Sequence, residues 1–199
     1  MLDQDETVAG LRSVLMFPAA AQRKLLEHLA FLGHRHIDCF NTQAMDRVIE
    51  GRIDCWQSFL SANHFQGELH TLTESSPIAS AYRLAQKRLA ENRVLPTALV
   101  CTTGPAAIGA MRAFFDAGIR VGTDISIGAV NDEGFGPYLV PSLTCLQTPR
   151  RSTYLNEAVR WMLQGQWDGP LLVQPEEACL FIGDSTGPVP SHRSGALAR

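Results

Sequence analysis

The sequence predicts an α/β protein, a three-layer α/β/α sandwich around a mainly parallel sheet, and three observations carry that prediction. Apolar runs of strand length recur at 37–40, 97–101, 125–130 and 143–147. Between them lie longer stretches in which apolar residues return every three or four positions, the period of an amphipathic helix. Glycine, proline or a polar pair marks most of the joins. The block 97–132, TALVCTTGPAAIGAMRAFFDAGIRVGTDISIGAVND, shows all three at once. Its first run is too short for a helix and reads as a buried strand. Thr103 or Gly104 can cap the next element, Pro105 suits a first helical position, and Ala107, Ile108, Met111, Phe114 and Phe115 keep helical spacing until Gly118. A second apolar run then ends in Asn131-Asp132. Strand–helix–strand units of this size are right-handed crossovers, so both strand ends open onto one edge of the sheet, where such folds hold ligands.

The other elements follow the same logic. Residues 14–17 read as a strand, and Pro18 opens a helix whose Leu25, Leu26, Leu29 and Leu32 share a face before Gly33 ends it. The strand at 37–40 follows at once. A helix is expected over 42–62, with Ile49, Ile53, Trp56 and Leu60 as its buried stripe. Residues 68–72 form a plausible strand, and Ser76-Pro77 start a helix with Ile78, Ala81, Ala85 and Leu89 inward. After the central block come a Gly- and Pro-containing loop at 133–140, a strand at 143–147, and a helix with Leu155, Ala158, Val159 and Met162 inward and Gly165 at its end. Short strands at 171–174 and 178–182 complete the pattern. Residues 183–199 are rich in glycine, serine and proline with little to bury, and read as a flexible tail.

Composition narrows the function. At 199 residues a real core is available, with roughly 70% of the unfolded surface buried on folding. A net charge of −3 leaves no basic face to displace counterions from phosphate, so nucleic acid is not expected to bind these residues directly. Five cysteines, Cys39, Cys55, Cys101, Cys145 and Cys179, form no CxxC and sit mostly in apolar runs, as in a reduced cytoplasmic protein. An apolar leader and an apolar run of ~20 residues are both missing, which argues against export and membrane contact.

Catalytic signals are weak. His34 and His36 flank an arginine at a helix-to-strand turn and read as solvated residues rather than metal ligands. Gly134-Phe135-Gly136-Pro137 lacks the third glycine of a dinucleotide loop, and Asp184-Ser185 sits beside the tail. Neither a metal nor a cofactor is expected, and the chain does not read as an enzyme. Polar groups at strand ends suit a bound metabolite better: Thr103, Asn131 and Asp132, with Thr148 after a later strand. Each has a plainer role available, helix capping for Thr103 and turn bonding for Asn131 and Asp132. Arg52 lies at the edge of an apolar stripe, where it either snorkels to water or aims its donor fork into a cleft.

The central block also resembles the effector-binding core of the lactose/galactose repressor (LacI/GalR) family. Thr103-Gly104, the helix at 107–113, the stretch 118–128 and Val130 to Asp132 match the family's "ND…ALGAMRA…G(L/I)xVPxDISVxG(Y/F)DD". Glu27-His28-Leu29 with Leu32-Gly33-His34, Pro141-Ser142-Leu143-Thr144 and Asp184-Ser185-Thr186 extend the match to roughly 13–188. The resemblance implies a periplasmic-binding-protein-like bilobal fold with an incomplete N-terminal lobe. In that frame 1–16 ends the first pass through the N-terminal lobe, 17–142 is the C-terminal lobe, and 143–182 crosses back and supplies the final strands. A helix-turn-helix head, absent from this chain, would carry the contact with operator DNA.

The resemblance places Arg52, Asn131, Thr103, Asp132, Thr148, Ser75, Val48 and Asp3 in an effector site, and Ala107, Met111, Arg112, Phe115, Phe135 and Tyr138 at a homodimer interface. Departures are informative: Thr103-Gly104 replaces Asn-Asp, Asn131 replaces an aspartate, Ser75 an aromatic platform and Thr148 a frequent glutamine. Fewer carboxylates and no stacking ring point to a sugar-like effector or a small anionic metabolite at Arg52. The expected protein is the sensing and dimerising core of a bacterial repressor. Alternatives are a bilobal sugar receptor for transport, and an α/β enzyme using Cys101 or Asp132 with no base in evidence.

Overall fold

The computed structural model describes residues 7–91, 93–131, 134–147, 151–164, 172–174 and 179–190. In chain order its elements are β1 (Ser13–Val14), α1 (Ala19–Phe31), β2 (Ile37–Asn41), α2 (Arg47–Asn63), β3 (Leu69–Thr71), α3 (Pro77–Ala90), β4 (Ala98–Cys101), α4 (Gly104–Asp116), β5 (Ser126–Ala129), β6 (Thr144–Leu146), α5 (Arg151–Gln164), β7 (Leu172–Val173) and β8 (Leu180–Phe181). A six-stranded sheet has the order β3-β2-β4-β5-β6-β8, and β1 pairs with β7 in a small second sheet. Every pairing is parallel except β6 with β8. The fold class is the α/β arrangement expected.

Strands β2, β4 and β5 are buried along their whole length, which is why they read as continuous apolar runs rather than alternating ones. Helices α1 and α2 cover one face, burying Leu25, Leu29, Ile49, Ile53 and Trp56 with Ile37 and Val100. Helices α3 and α4 cover the other through Ala81, Ala85, Ala107, Ala110 and Phe114. Each fully buried leucine of α1 contributes about 1.5–3 kcal/mol of transfer free energy, enough to anchor a 13-residue helix that has no side-chain cap. Small residues let α3 and α4 touch: a Cβ on Gly109 would come within 2.1 Å of the Ile78 carbonyl oxygen.

Local chemistry sets the boundaries. Helix α2 begins at Arg47 rather than at 42, because Asp46 is its cap and accepts from the Ile49 N–H at 2.9 Å. Thr42 therefore stays with the tip of β2. Ser76 caps α3 as expected, accepting from the Ala79 N–H at 3.3 Å.

Two expectations about the later chain are corrected. Crossing back does not begin at 143: β6 extends the large sheet beside β5, with Leu143, Cys145 and Leu146 buried, and β8 returns to that sheet. Among the described residues β7, which follows α5, is the strand that pairs with β1. The stretch after 183 is not loose as far as Pro190. Ser185 is fully buried, its Oγ donates to the Ile127 carbonyl at 2.6 Å and accepts from the Thr144 N–H at 2.8 Å, and its own N–H donates to the Ser142 carbonyl at 2.8 Å. Backbone pairing, invisible in a Gly/Ser/Pro composition, holds it. The remainder of the expected tail, 191–199, lies outside the described residues.

Candidate functional site

Strand order reverses between β2 and β4. From β2 the chain crosses through α2 to β3 on one side, then through α3 to β4 on the other. Helices leave these two strands toward opposite faces, so a crevice opens at their carboxyl ends. The residues there are Asn41 at the end of β2 with Thr42 after it, and Thr102 and Thr103 after β4.

Arg52 reaches this crevice from α2. It does not snorkel to water: only 6% exposed, it donates from Nη1 to the Thr102 carbonyl at 2.8 Å, and its Cζ lies 5.7 Å from the centre of the Phe17 ring. Gln22 of α1 donates to the Arg52 carbonyl at 2.7 Å, tying the two helices together behind the guanidinium. Thr102 Oγ1 donates to Asn41 Oδ1 at 3.0 Å, which locks the two strand tips side by side.

Thr103 occupies the capping position of α4, yet its side chain makes no cap hydrogen bond. Its Oγ1 is buried without a hydrogen-bond partner among the described residues, as is Oγ1 of Thr42 at the neighbouring tip. The capping reading thus passes to Asn131, whose Oδ1 accepts from the Gly104 N–H at 3.1 Å across from β5. Buried hydroxyls normally find partners, so two unmatched ones at adjacent strand tips set this edge of the sheet apart.

Of the other expected site residues, Ser75 is exposed after β3 and Val48 half-buried in the first turn of α2. Asp3, Asp132 and Thr148 lie outside the described residues. Asn41, Thr42, Gln22 and Phe17 were not singled out from the sequence. A signal for the first two existed: Asn41-Thr42 follows an apolar run just as Thr102-Thr103 does.

The residues expected at a dimer interface divide sharply. Phe115 is 72% and Tyr138 85% exposed, and Phe135 and Arg112 are exposed too; of these, Phe115 and Arg112 line an apolar groove of about 810 Å³ together with Met111 and Leu139, the chain neighbour of Tyr138. Ala107 does not belong with them. It is fully buried against α3 and offers nothing to a partner.

Elsewhere the chemistry is structural. Burial pushes the Cys39 thiol up to about 12 and that of Cys101 well above its ordinary value, so neither is a nucleophile. His34 and His36 are not a solvated pair: His34 is buried with Nε2 3.0 Å from the Gly187 carbonyl, and His36 lies 3.3 Å from Asp38. They face different partners. No group of three or more metal-ligating side chains occurs among the described residues.

Fold and crevice define a periplasmic-binding-protein-like α/β domain with a cleft at its parallel strand ends. Residues 26–186 match the family described as periplasmic binding protein-like domain, and this chain belongs to that family, as a LacI-type effector-binding core. The lactose operon repressor of Escherichia coli K12 is 28% identical over 137 residues, covering 69% of this chain and 38% of the repressor. The probable HTH-type transcriptional repressor ExuR of Bacillus subtilis 168 is 42% identical over 161 residues, covering 75% of this chain and 45% of its own length. A crystal structure of the lac repressor dimer bound to operator and the anti-inducer ONPF superposes with a TM-score of 0.77 at 28% identity, over 94% of this chain and 64% of that one. The chain thus spans less than half the length of these two curated relatives.

Proposed function

We propose that this chain is the effector-sensing and dimer-forming part of a bacterial transcriptional repressor working in the cytoplasm, and that it performs no reaction on its ligand. The observation that carries this reading is the buried Arg52 guanidinium at the point where strand order reverses, beside two unmatched threonine hydroxyls. Donors and acceptors without a nucleophile or base suit recognition. The effector is sugar-like or a small anionic metabolite, contacted by Arg52 and Thr103, with Asn131, Asp132, Thr148, Ser75, Val48 and Asp3 completing the site. Printed names of relatives, a lactose and a ribose operon repressor among them, support a sugar-related ligand.

The groove beside Phe115 and Tyr138 is proposed as a homodimer interface, in keeping with the dimer of the lac repressor structure. Operator DNA would be engaged by a helix-turn-helix head outside this sequence, since a net charge of −3 supplies no phosphate-binding face. Ligand binding would then favour one of two arrangements, with a coupling of ~1–3 kcal/mol between effector and operator sites.

A thermal-shift panel of lactose, ribose, glucuronate and small carboxylic acids tests the site. The expected result is stabilisation by one compound that disappears in Arg52→Ala. A compound that stabilises Arg52→Ala as well as the wild type would place the pocket elsewhere.

A further inference from the structure

The tips of β2 and β4 carry two sets of side chains, one on each face of the sheet. Cys39 and Val100 are register partners under α1 and α2, and Phe40 and Cys101 are partners under α3 and α4. Alternation carries on past the last pair. Asn41 and Thr102 return to the α1/α2 face, where the Thr102 hydroxyl donates to Asn41 Oδ1 at 3.0 Å. Thr42 and Thr103 come next, on the α3/α4 face, with their strands roughly 5 Å apart and Thr103 still extended at φ −145° and ψ 159°.

A third hydroxyl reaches the same level from α3. This helix runs antiparallel to β2, and Arg88 on its buried side lies 3.5 Å from Asp38 of β2. Ser80 shares that side, eight residues before Arg88 and so about 12 Å along the helix, while Thr42 is four residues, about 13 Å, along the strand from Asp38 on the same face. Ser80 is 0%, Thr42 1% and Thr103 7% exposed, and none of the three hydroxyls has a hydrogen-bond partner among the described residues. One unmatched buried hydroxyl is unusual, and three at one level of the sandwich point to a common partner.

Each hydroxyl both donates and accepts, and none is charged. They match an alcohol group, whereas a carboxylate or ammonium taken to the same depth would lose its hydration without gaining a counter-ion from them. We propose that Thr42, Ser80 and Thr103 form a subsite for a hydroxyl-bearing arm of the effector, on the opposite face of the strand tips from Arg52. The effector is then a polyhydroxylated compound, whatever the charge of its other end. This inference rests on the reading of the strand tips as an effector site.

The test uses the full chain as wild type, Thr42→Val, Ser80→Ala and Arg52→Ala, with two readouts. The first needs no ligand: Thr42→Val removes a hydroxyl that bonds nothing in the protein, so its thermal midpoint stays at or above that of the wild type. A fall of more than about 3 °C, the scale of one lost buried hydrogen bond in a chain of this size, assigns the hydroxyl to the fold and overturns the subsite. The second is calorimetric titration with ribose, glucose, lactose, glucuronate and the hydroxyl-free succinate. One of the hydroxyl-bearing compounds binds the wild type, and Thr42→Val and Ser80→Ala each weaken it about five- to thirtyfold. Unchanged affinity in both, with binding lost in Arg52→Ala, overturns the subsite and leaves the effector site standing. So does binding of succinate alone. A panel of which no member binds overturns the effector reading, and this inference with it.

Discussion

Asn131 accepts a hydrogen bond from the Gly104 N–H at 3.1 Å, so the tip of β5 caps the helix that follows β4. The residue nominally at the cap, Thr103, makes no side-chain cap bond. Removing a capping acceptor costs about 1 kcal/mol. Asn131→Ala is expected to lower the urea midpoint by that amount, and Asn131→Asp to retain stability, since a carboxylate at a helix N-terminus gains about 0.3–1 kcal/mol from the dipole. Equal losses in both variants would mean that Asn131 does not cap.

Ser185 stitches β5 to β6 through its hydroxyl, donating to Ile127 and accepting from Thr144. Ser185→Ala leaves a buried carbonyl and a buried N–H without partners, at a cost of about 1–3 kcal/mol. Denaturant unfolding checks this; a loss below about 0.5 kcal/mol, the scale of surface substitutions, would show that 183–190 detaches in solution.

A buried carboxylate organises the opposite end of the sheet. Asp38 is fully buried on β2, within 3.1 Å of His70 Nε2, 3.3 Å of His36 Nε2 and 3.5 Å of Arg88 Nε, and accepts from the Glu68 N–H at 2.9 Å. Burial alone would raise its pKa, but the His70 hydrogen bond, the Glu68 N–H and the charges of His70 and His36 together hold it below the ordinary carboxylate value. Such a group contributes stability that is present above about pH 4, its unfolded value, and is lost as pH falls through the lower folded value. Asp38→Asn should cost about 3 kcal/mol at pH 7 by taking the buried carboxylate away from Arg88 and His70, and should flatten the acid limb of the stability curve. An acid limb unchanged by the substitution would assign that titration to other carboxylates.

Phe115→Glu and Tyr138→Glu place charge beside the apolar groove without touching the core. Both are expected to give monomers by sedimentation equilibrium, with a thermal midpoint within a few degrees of a wild-type dimer at matched dilution. Dimers that persist in both would move the interface to another surface.

Local chemistry made part of this architecture readable. Apolar runs such as 98–101 and 126–129 announce buried parallel strands because each residue is covered on both faces, and Ser76-Pro77 announces a helix because capping is a contact within four residues. Both are short-range effects. Helical phase was harder: Ala107 and Phe115 look alike as apolar residues of one helix, yet only the packing of α4 on α3 puts the first in the core and the second in solvent. The burial of His34 beneath Gly187 depends on a segment more than a hundred residues away.

Composition, periodicity and punctuation by themselves determined the class of fold and the strands of its sheet, because these follow from burial and from neighbours in the chain; that the tip of β2 stands beside that of β4 follows only from the strand order. Which polar side chains meet at those tips was decided only when the sheet assembled. Asn131 is spent on the backbone of Gly104, Thr103 and Thr42 are left unmatched, and Arg52 is turned inward against Phe17 and Thr102. Those pairings join residues 27 to 61 positions apart, or align strand tips from separate crossovers, and nothing local in the chain distinguishes them from the alternatives.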